Sequence, residues 1–154
     1  MCFSCDSPQS CYLKIDFKIS EDASVFDAIQ RMAGHHIGCL AVTNAAGKVV
    51  GVVSERDYLC KVALLGKASK TTKVSEICTH GGNLVMADAD SSIDDCMKLM
   101  LARDIRHLLI RDKGEVISML SIKDLVKVCV AKHQEVVKRL SDFALGKGAF
   151  FGTD

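Results

Sequence analysis

Apolar side chains recur at helical spacing at Val25, Ala28, Ile29 and Met32, and again at Ile93, Cys96, Met97 and Met100. One face of each stretch is apolar and the rest polar, which predicts two amphipathic helices. A serine precedes each, with an aspartate three positions later (Ser24/Asp27 and Ser92/Asp95), so a hydroxyl stands ready to cap free amides at each helix start. Short apolar runs follow at Ile37 to Thr43 and Ile105 to Arg111. Turns at Asn44 to Gly47 and Asp112 to Gly114 lead into further apolar runs, Val49 to Ser54 and Val116 to Ser121. Glycine in a short turn between two apolar runs predicts a hairpin. A further helix starts at once in each case, Glu55 to Leu65 and Ile122 onward, the latter reaching Leu145. Short strands are expected before each first helix, at Lys14 to Ile19 and Asn83 to Met86.

The same order of signals therefore occurs twice. Ser24 to Met32 aligns with Ser92 to Met100, Ile37 to Val42 with Ile105 to Ile110, and Gly47 to Asp57 with Gly114 to Asp124. The offset is about 68 residues and, after a one-residue deletion in the hairpin turn, about 67. Such a period exceeds that of solenoid units, so the pattern predicts a duplicated supersecondary module. The expected fold class is α/β with two βαββα repeats, the first over residues 14–79 and the second over 80–145 with its long last helix. Residues 1–13 and 146–154 carry no periodic pattern and are expected to be loose. Gly66 to Lys73 reads as a solvated, basic, Ser/Thr-rich linker containing Lys67, Lys70 and Lys73.

Composition narrows the function classes. The chain has 154 residues, 49% of them hydrophobic and 25% charged, which suits a packed core and argues against disorder. A formal net charge of +1, with 5% aromatic residues and no Trp, argues against a nucleic-acid partner. Apolar stretches are too short for a membrane span, so no membrane partner is expected. Five of the eight cysteines (Cys39, Cys60, Cys78, Cys96 and Cys129) fall in apolar or helical runs without framework spacing, which favours a reducing compartment. Met1 to Ser10 has neither a basic nor an apolar leader region, so a cytoplasmic or mitochondrial rather than secreted protein is expected.

The candidate chemistry lies where the second strand of each repeat meets the following helix. Gly51-Val-Val-Ser54-Glu-Arg56-Asp57 is echoed by Ser118-Met-Leu-Ser121-Ile-Lys123-Asp124. A helix start offers backbone N–H groups and a positive dipole end to a phosphate. A serine hydroxyl can donate to a phosphate oxygen, and an ionised aspartate, being acceptor-only, can take both hydrogens of a ribose diol. Arg56, Lys123, Arg106 and His107 are cationic candidates for the phosphate charge. Ser-x-x-Asp is equally a helix cap, worth about 1 kcal/mol, and a single occurrence favours that plainer reading. Two occurrences at matching places, each after an apolar strand, favour a ribonucleotide grip.

These runs, together with Asp104-Ile-Arg-His-Leu108, resemble a tandem pair of cystathionine-β-synthase (CBS) domains over roughly Lys14 to Leu145. Ser54 to Tyr58, Ser69 to Val74 and Ile105 to His107 are most similar to the stand-alone two-CBS-domain proteins of plant organelles and proteobacteria. The resemblance implies a pseudo-twofold, non-catalytic module whose two clefts bind AMP, ADP or ATP, with S-adenosylmethionine and NAD-type ligands as wider options, and no required cofactor. It implies that Asp57 and Asp124 hold ribose, that Ser54 and Ser121 with Arg106 and His107 meet phosphate, and that Ile37 and Cys39 touch adenine. It further implies a regulated partner protein and a homodimer to which the last helix contributes. The chain departs from the family pattern at Ser118, where glycine is usual, and at Cys78, where methionine is usual. Gly38-Cys39 stands where the second repeat has Arg106-His107, so the clefts differ electrostatically.

Two other functions remain open on the sequence. Cys2-Phe-Ser-Cys5, with Cys11 nearby, has the spacing of a thiol redox pair, and the module could serve as an interaction surface with vestigial clefts. His35 and His36 fit a helix end better than a metal site, and His133 fits an exposed helix position. No nucleophile elbow, phosphate-binding loop or dinucleotide fingerprint is present.

Overall fold

The computed structural model describes residues 15–146. Its elements are β1 (Lys18–Ser20), α1 (Val25–His35), β2 (Cys39–Thr43), β3 (Val49–Ser54), α2 (Glu55–Tyr58), β4 (Thr79–His80), β5 (Met86–Asp88), α3 (Ile93–Arg103), β6 (His107–Asp112), β7 (Glu115–Ser121) and α4 (Ile122–Ala144). The duplicated α/β order read from the pattern is present. The expectations for residues 1–13 and 147–154, and for Cys2, Cys5 and Cys11, lie outside the described residues.

The strands form two sheets. One has the order β1-β2-β3-β4, the other β5-β6-β7. In each, the first strand runs parallel to the second and the second antiparallel to the third. The helices start as the spacing predicts. Ser24 and Ser92 accept the N–H of Asp27 and Asp95 at 3.1 Å, and their hydroxyls donate to the same aspartates at 2.7 Å. Both helices end on a left-handed residue that is not glycine, His36 (φ 54°) and Asp104 (φ 50°).

Three regions differ from the sequence expectation. The helix expected over Glu55 to Leu65 is an α-turn, Glu55–Tyr58, continued as a π-helix over Leu59–Ala63. Its wider spacing shows in the Leu64 N–H bonding the Leu59 carbonyl at 3.0 Å. The linker is not wholly solvated. Thr72 is buried, and the carbonyls of Ser69 and Thr72 take the N–H groups of Phe26 and Val25 at the start of α1. Lys73 pairs with Asp22 at 2.8 Å, and Lys70 lies over the Phe26 ring. The chain then adds β4 to the first sheet, a strand the periodicity was too short to reveal.

The sheets share a core. Leu108, Ile110 and Leu120 pack with Cys96 and Met100 of α3, whereas Leu109 and Met119, on the opposite sheet face, join the core of the first repeat with Leu40, Val42 and Val53. Alternation along β6 thus serves both repeats. From Ala131 to Ser141 α4 is exposed on every side, and Val136, Val137, Leu140 and Phe143 show their apolar groups to solvent.

β4 also explains the departure at Ser118. A Cβ on Gly51 would stand 2.6 Å from the Thr79 carbonyl oxygen, because β4 pairs directly across it. Ser118 occupies the matching place on β7, an edge strand of the described sheet with no such neighbour. Gly51→Ala is expected to destabilise by about 2 kcal/mol or more through overpacking against backbone. Ser118→Ala should change stability by less than about 1 kcal/mol. Urea unfolding of the two variants checks the contrast.

Candidate functional site

The two strand-to-helix junctions form alike. A largely apolar strand, buried in part, ends at Ser54 or Ser121, whose extended backbone turns directly into a helix. Ser54 accepts the Asp57 N–H at 3.3 Å and donates its hydroxyl to Asp57 Oδ2 at 2.8 Å, while Oδ2 also accepts the Ser54 N–H at 2.9 Å. The second junction repeats this at 3.2, 2.6 and 3.0 Å between Ser121 and Asp124. Further amides are also engaged: Glu55 donates to the Gly38 carbonyl at 3.1 Å and Ile122 to that of Arg106 at 2.9 Å. The helix-start amides are therefore largely used within the fold. The burden of meeting an anion moves to side chains.

A hollow of about 200 Å³ opens beside the first junction. Ser54, Arg56 and Asp57 form one wall, and Asp104, Ile105, Arg106 and His107 of the second repeat form the other. Cys39, Val52, Val85, Leu109 and Met119 supply its apolar lining. A second hollow, of about 210 Å³, is walled by His36, Ile37, Gly38 and Glu55 of the first repeat and by Arg106, His107, Ser121 and Lys123 of the second. The hollows thus exchange the roles of the repeats. Nine of the ten sequence candidates line one or both; Asp124, 4% exposed and bonded to Ser121, is not among these lining residues.

Sequence reasoning missed two side chains that pair with residues lining the first hollow. Lys61 donates to Asp57 Oδ1 at 2.7 Å and to the Ile77 carbonyl at 2.6 Å. The i,i+4 spacing was the available signal, but the expected α-helix gave no hint of its second partner. Asp104 approaches Arg56 at 3.4 Å, joining the repeats across the mouth of the hollow. Both members of that pair are largely exposed, so it contributes little to stability and yields readily to a stronger anion.

Burial sets the character of the two polar groups on the first strands. Cys39, 2% exposed, has its thiol pushed up to about 12, mainly by burial and then by Asp57, so it stays protonated and unreactive at neutral pH. His107 is pushed down to about 4 by burial and then by the Arg106 charge, against an opposing pull from Asp124. Its imidazole is neutral at pH 7 and offers a hydrogen bond rather than a charge. The unfolded chain binds this proton below about pH 6.5 and the folded chain only near pH 4, so folding stability falls as pH drops through that window. The contribution is on the order of 3 kcal/mol. His107→Gln, which cannot titrate, is expected to lose less stability between pH 7 and pH 4.5 than the natural chain in parallel urea unfolding.

The fold recurs in known proteins. The CBS-domain family model matches residues 14–63 and again 74–131. The mitochondrial CBS domain-containing protein CBSX3 of Arabidopsis thaliana is 37% identical over 81% of this chain and 62% of its own length. This chain spans less than two thirds of that relative and under a quarter of the Arabidopsis protein CBSCBSPB2, with which it is 27% identical. Among solved structures, a CBS-domain protein of Burkholderia ambifaria superposes with a TM-score of 0.71 at 38% identity, covering 77% of this chain and 85% of its own. A CBS-domain protein of Pyrobaculum aerophilum complexed with AMP superposes with a TM-score of 0.63 at 23% identity, covering 70% and 80% of the two chains. Matched twice along the two halves of one duplicated sheet-and-helix unit, the chain belongs to the CBS-domain family and carries a tandem pair of its repeats.

Proposed function

We propose that this chain is a non-catalytic regulatory module that binds an adenosine nucleotide between its repeats and alters the activity of a partner protein. The observation that carries the reading is the first hollow, where an aspartate of one repeat faces Arg106 and His107 of the other above an apolar floor. Asp57 has about four acceptor positions. The Ser54 N–H, the Ser54 hydroxyl and Lys61 take three of them, which leaves one for a ribose hydroxyl. A second hydroxyl displaces Lys61, whose other bond to the Ile77 carbonyl retains it nearby. Val52, Leu109 and Met119 offer apolar contact for an adenine ring. Arg56 and Arg106 favour a phosphate-bearing ligand (AMP, ADP or ATP) over S-adenosylmethionine. The AMP complex of the Pyrobaculum aerophilum neighbour supports the same ligand class.

The repeat limits 14–79 and 80–145 belong to the same proposal, as does a homodimer using the exposed apolar positions of α4. The mitochondrial relative favours that compartment over the cytoplasm. Ligand binding changes the tilt of the repeats only insofar as it prefers one tilt over another. A second reading, an interaction module with vestigial clefts, draws on the closed Ser54–Asp57 cap, which needs no ligand to be satisfied.

Calorimetry and thermal unfolding separate the two. Millimolar AMP or ATP is expected to raise the melting temperature of the natural chain. Asp57→Asn, which keeps the shape but weakens acceptance of ribose hydroxyls, is expected to bind at least tenfold more weakly. No heat and no thermal shift with either nucleotide favours the vestigial reading.

A further inference from the structure

The two hollows have a common wall. Gly38, Arg106 and His107 line both. The duplication predicts an arginine-histidine pair for each hollow, but the first repeat has Gly38-Cys39 in the matching places, so the pair exists once. Gly38 leaves little room for a substitute, since a Cβ there would lie 3.2 Å from Glu55 Oε2 and 3.3 Å from His107 Cε1. His107 is neutral at pH 7, which leaves Arg106 as the shared cation. It is exposed and forms no ion pair among the described residues, so it is available to either side.

Each hollow is lined by a single arginine or lysine of its own, Arg56 in the first and Lys123 in the second, and at the first Lys61 pairs with the lining Asp57. Each also holds carboxylates, Asp57 and Asp104 in the first and Glu55 in the second. With Asp57 balanced by its partner Lys61, each hollow without Arg106 has one cation to one carboxylate, Arg56 to Asp104 and Lys123 to Glu55, so the surplus positive charge of both is Arg106 itself. A dianionic phosphate drawn to Arg106 from one side neutralises it and leaves excess negative charge beside the other hollow.

We propose that the two hollows are coupled through Arg106, so that one anionic nucleotide occupies the chain at a time. This rests on the nucleotide reading above and specifies its regulation. The chain would then report which hollow is filled, not how many. The coupling is electrostatic, so it requires charge on the ligand and weakens as salt screens it.

Titration calorimetry at low salt tests this with AMP, with uncharged adenosine, and with Arg56→Glu and Lys123→Glu, two exposed positions whose reversal repels phosphate from one hollow each. The natural chain is expected to bind one AMP, with any second event at least tenfold weaker, and to bind two adenosines. Each charge-reversal variant is expected to bind one AMP as well, which shows that either hollow works alone. Raising salt to about 1 M, where the screening length is about 3 Å, should bring the two AMP events together. Two AMP molecules bound with like affinity at low salt overturn the coupling. So does a charge-reversal variant that binds none, because a single working hollow then explains the stoichiometry. A single adenosine per chain overturns the electrostatic cause. If no adenosine compound binds the natural chain, the nucleotide reading itself fails and the coupling with it.

Discussion

The packing of one sheet face against the other repeat is the constraint on which the rest depends. β6 carries Leu108 and Ile110 toward its own helix and Leu109 toward the first repeat's core, so the strand is apolar on both faces. A one-residue slip of β6 would turn each side chain to the opposite face and carry the flanking His107 or Arg111 into a place now held by an apolar residue. That locks the sheets together, and with them the walls of the hollows. His107, at the start of β6, is held half-buried between the repeats by the same contact, and its depressed basicity follows from that burial.

Within this frame each junction must both end a strand and begin a helix. The reciprocal Ser–Asp cap does so with paired donors and acceptors, and it leaves Ser54 and Asp57 at the edge of a hollow. Stability and recognition draw on the same atoms here. The carboxylate that caps α2 is the one that would hold a sugar, so the site is prearranged by its structural duty. At the second junction the balance differs: Asp124 is 4% exposed, and the hollow is met instead by Ser121 and Lys123.

The repeats are unequal for physical reasons that trace to the connecting chain. Residues 66–80 tie the start of α1 to the first sheet through Ser69 and Thr72, then run as β4 along β3. The close passage of that strand excludes a side chain at Gly51, whereas Ser118 meets no such neighbour in the described sheet. The π-helical turn after α2 belongs to the same asymmetry, since it carries Lys61 to both Asp57 and the Ile77 carbonyl just before β4.

The sequence by itself determined the duplication, the order of strands and helices, the four serine starts, and the residues gathered at the junctions. These follow from periodicity and from contacts within a few positions, which local chemistry dictates. It also carried the family resemblance, because the two junction runs are contiguous in the chain. Only the tertiary structure decided that Gly38, Arg106 and His107 wall both hollows, that Asp104 meets Arg56, and that Asp124 is buried while Asp57 lines a hollow. The relations between the repeats join residues tens of positions apart, the unequal burial of Asp57 and Asp124 depends on what packs over each cap, and nothing in hydrophobic spacing encodes which faces of two packed sheets will meet.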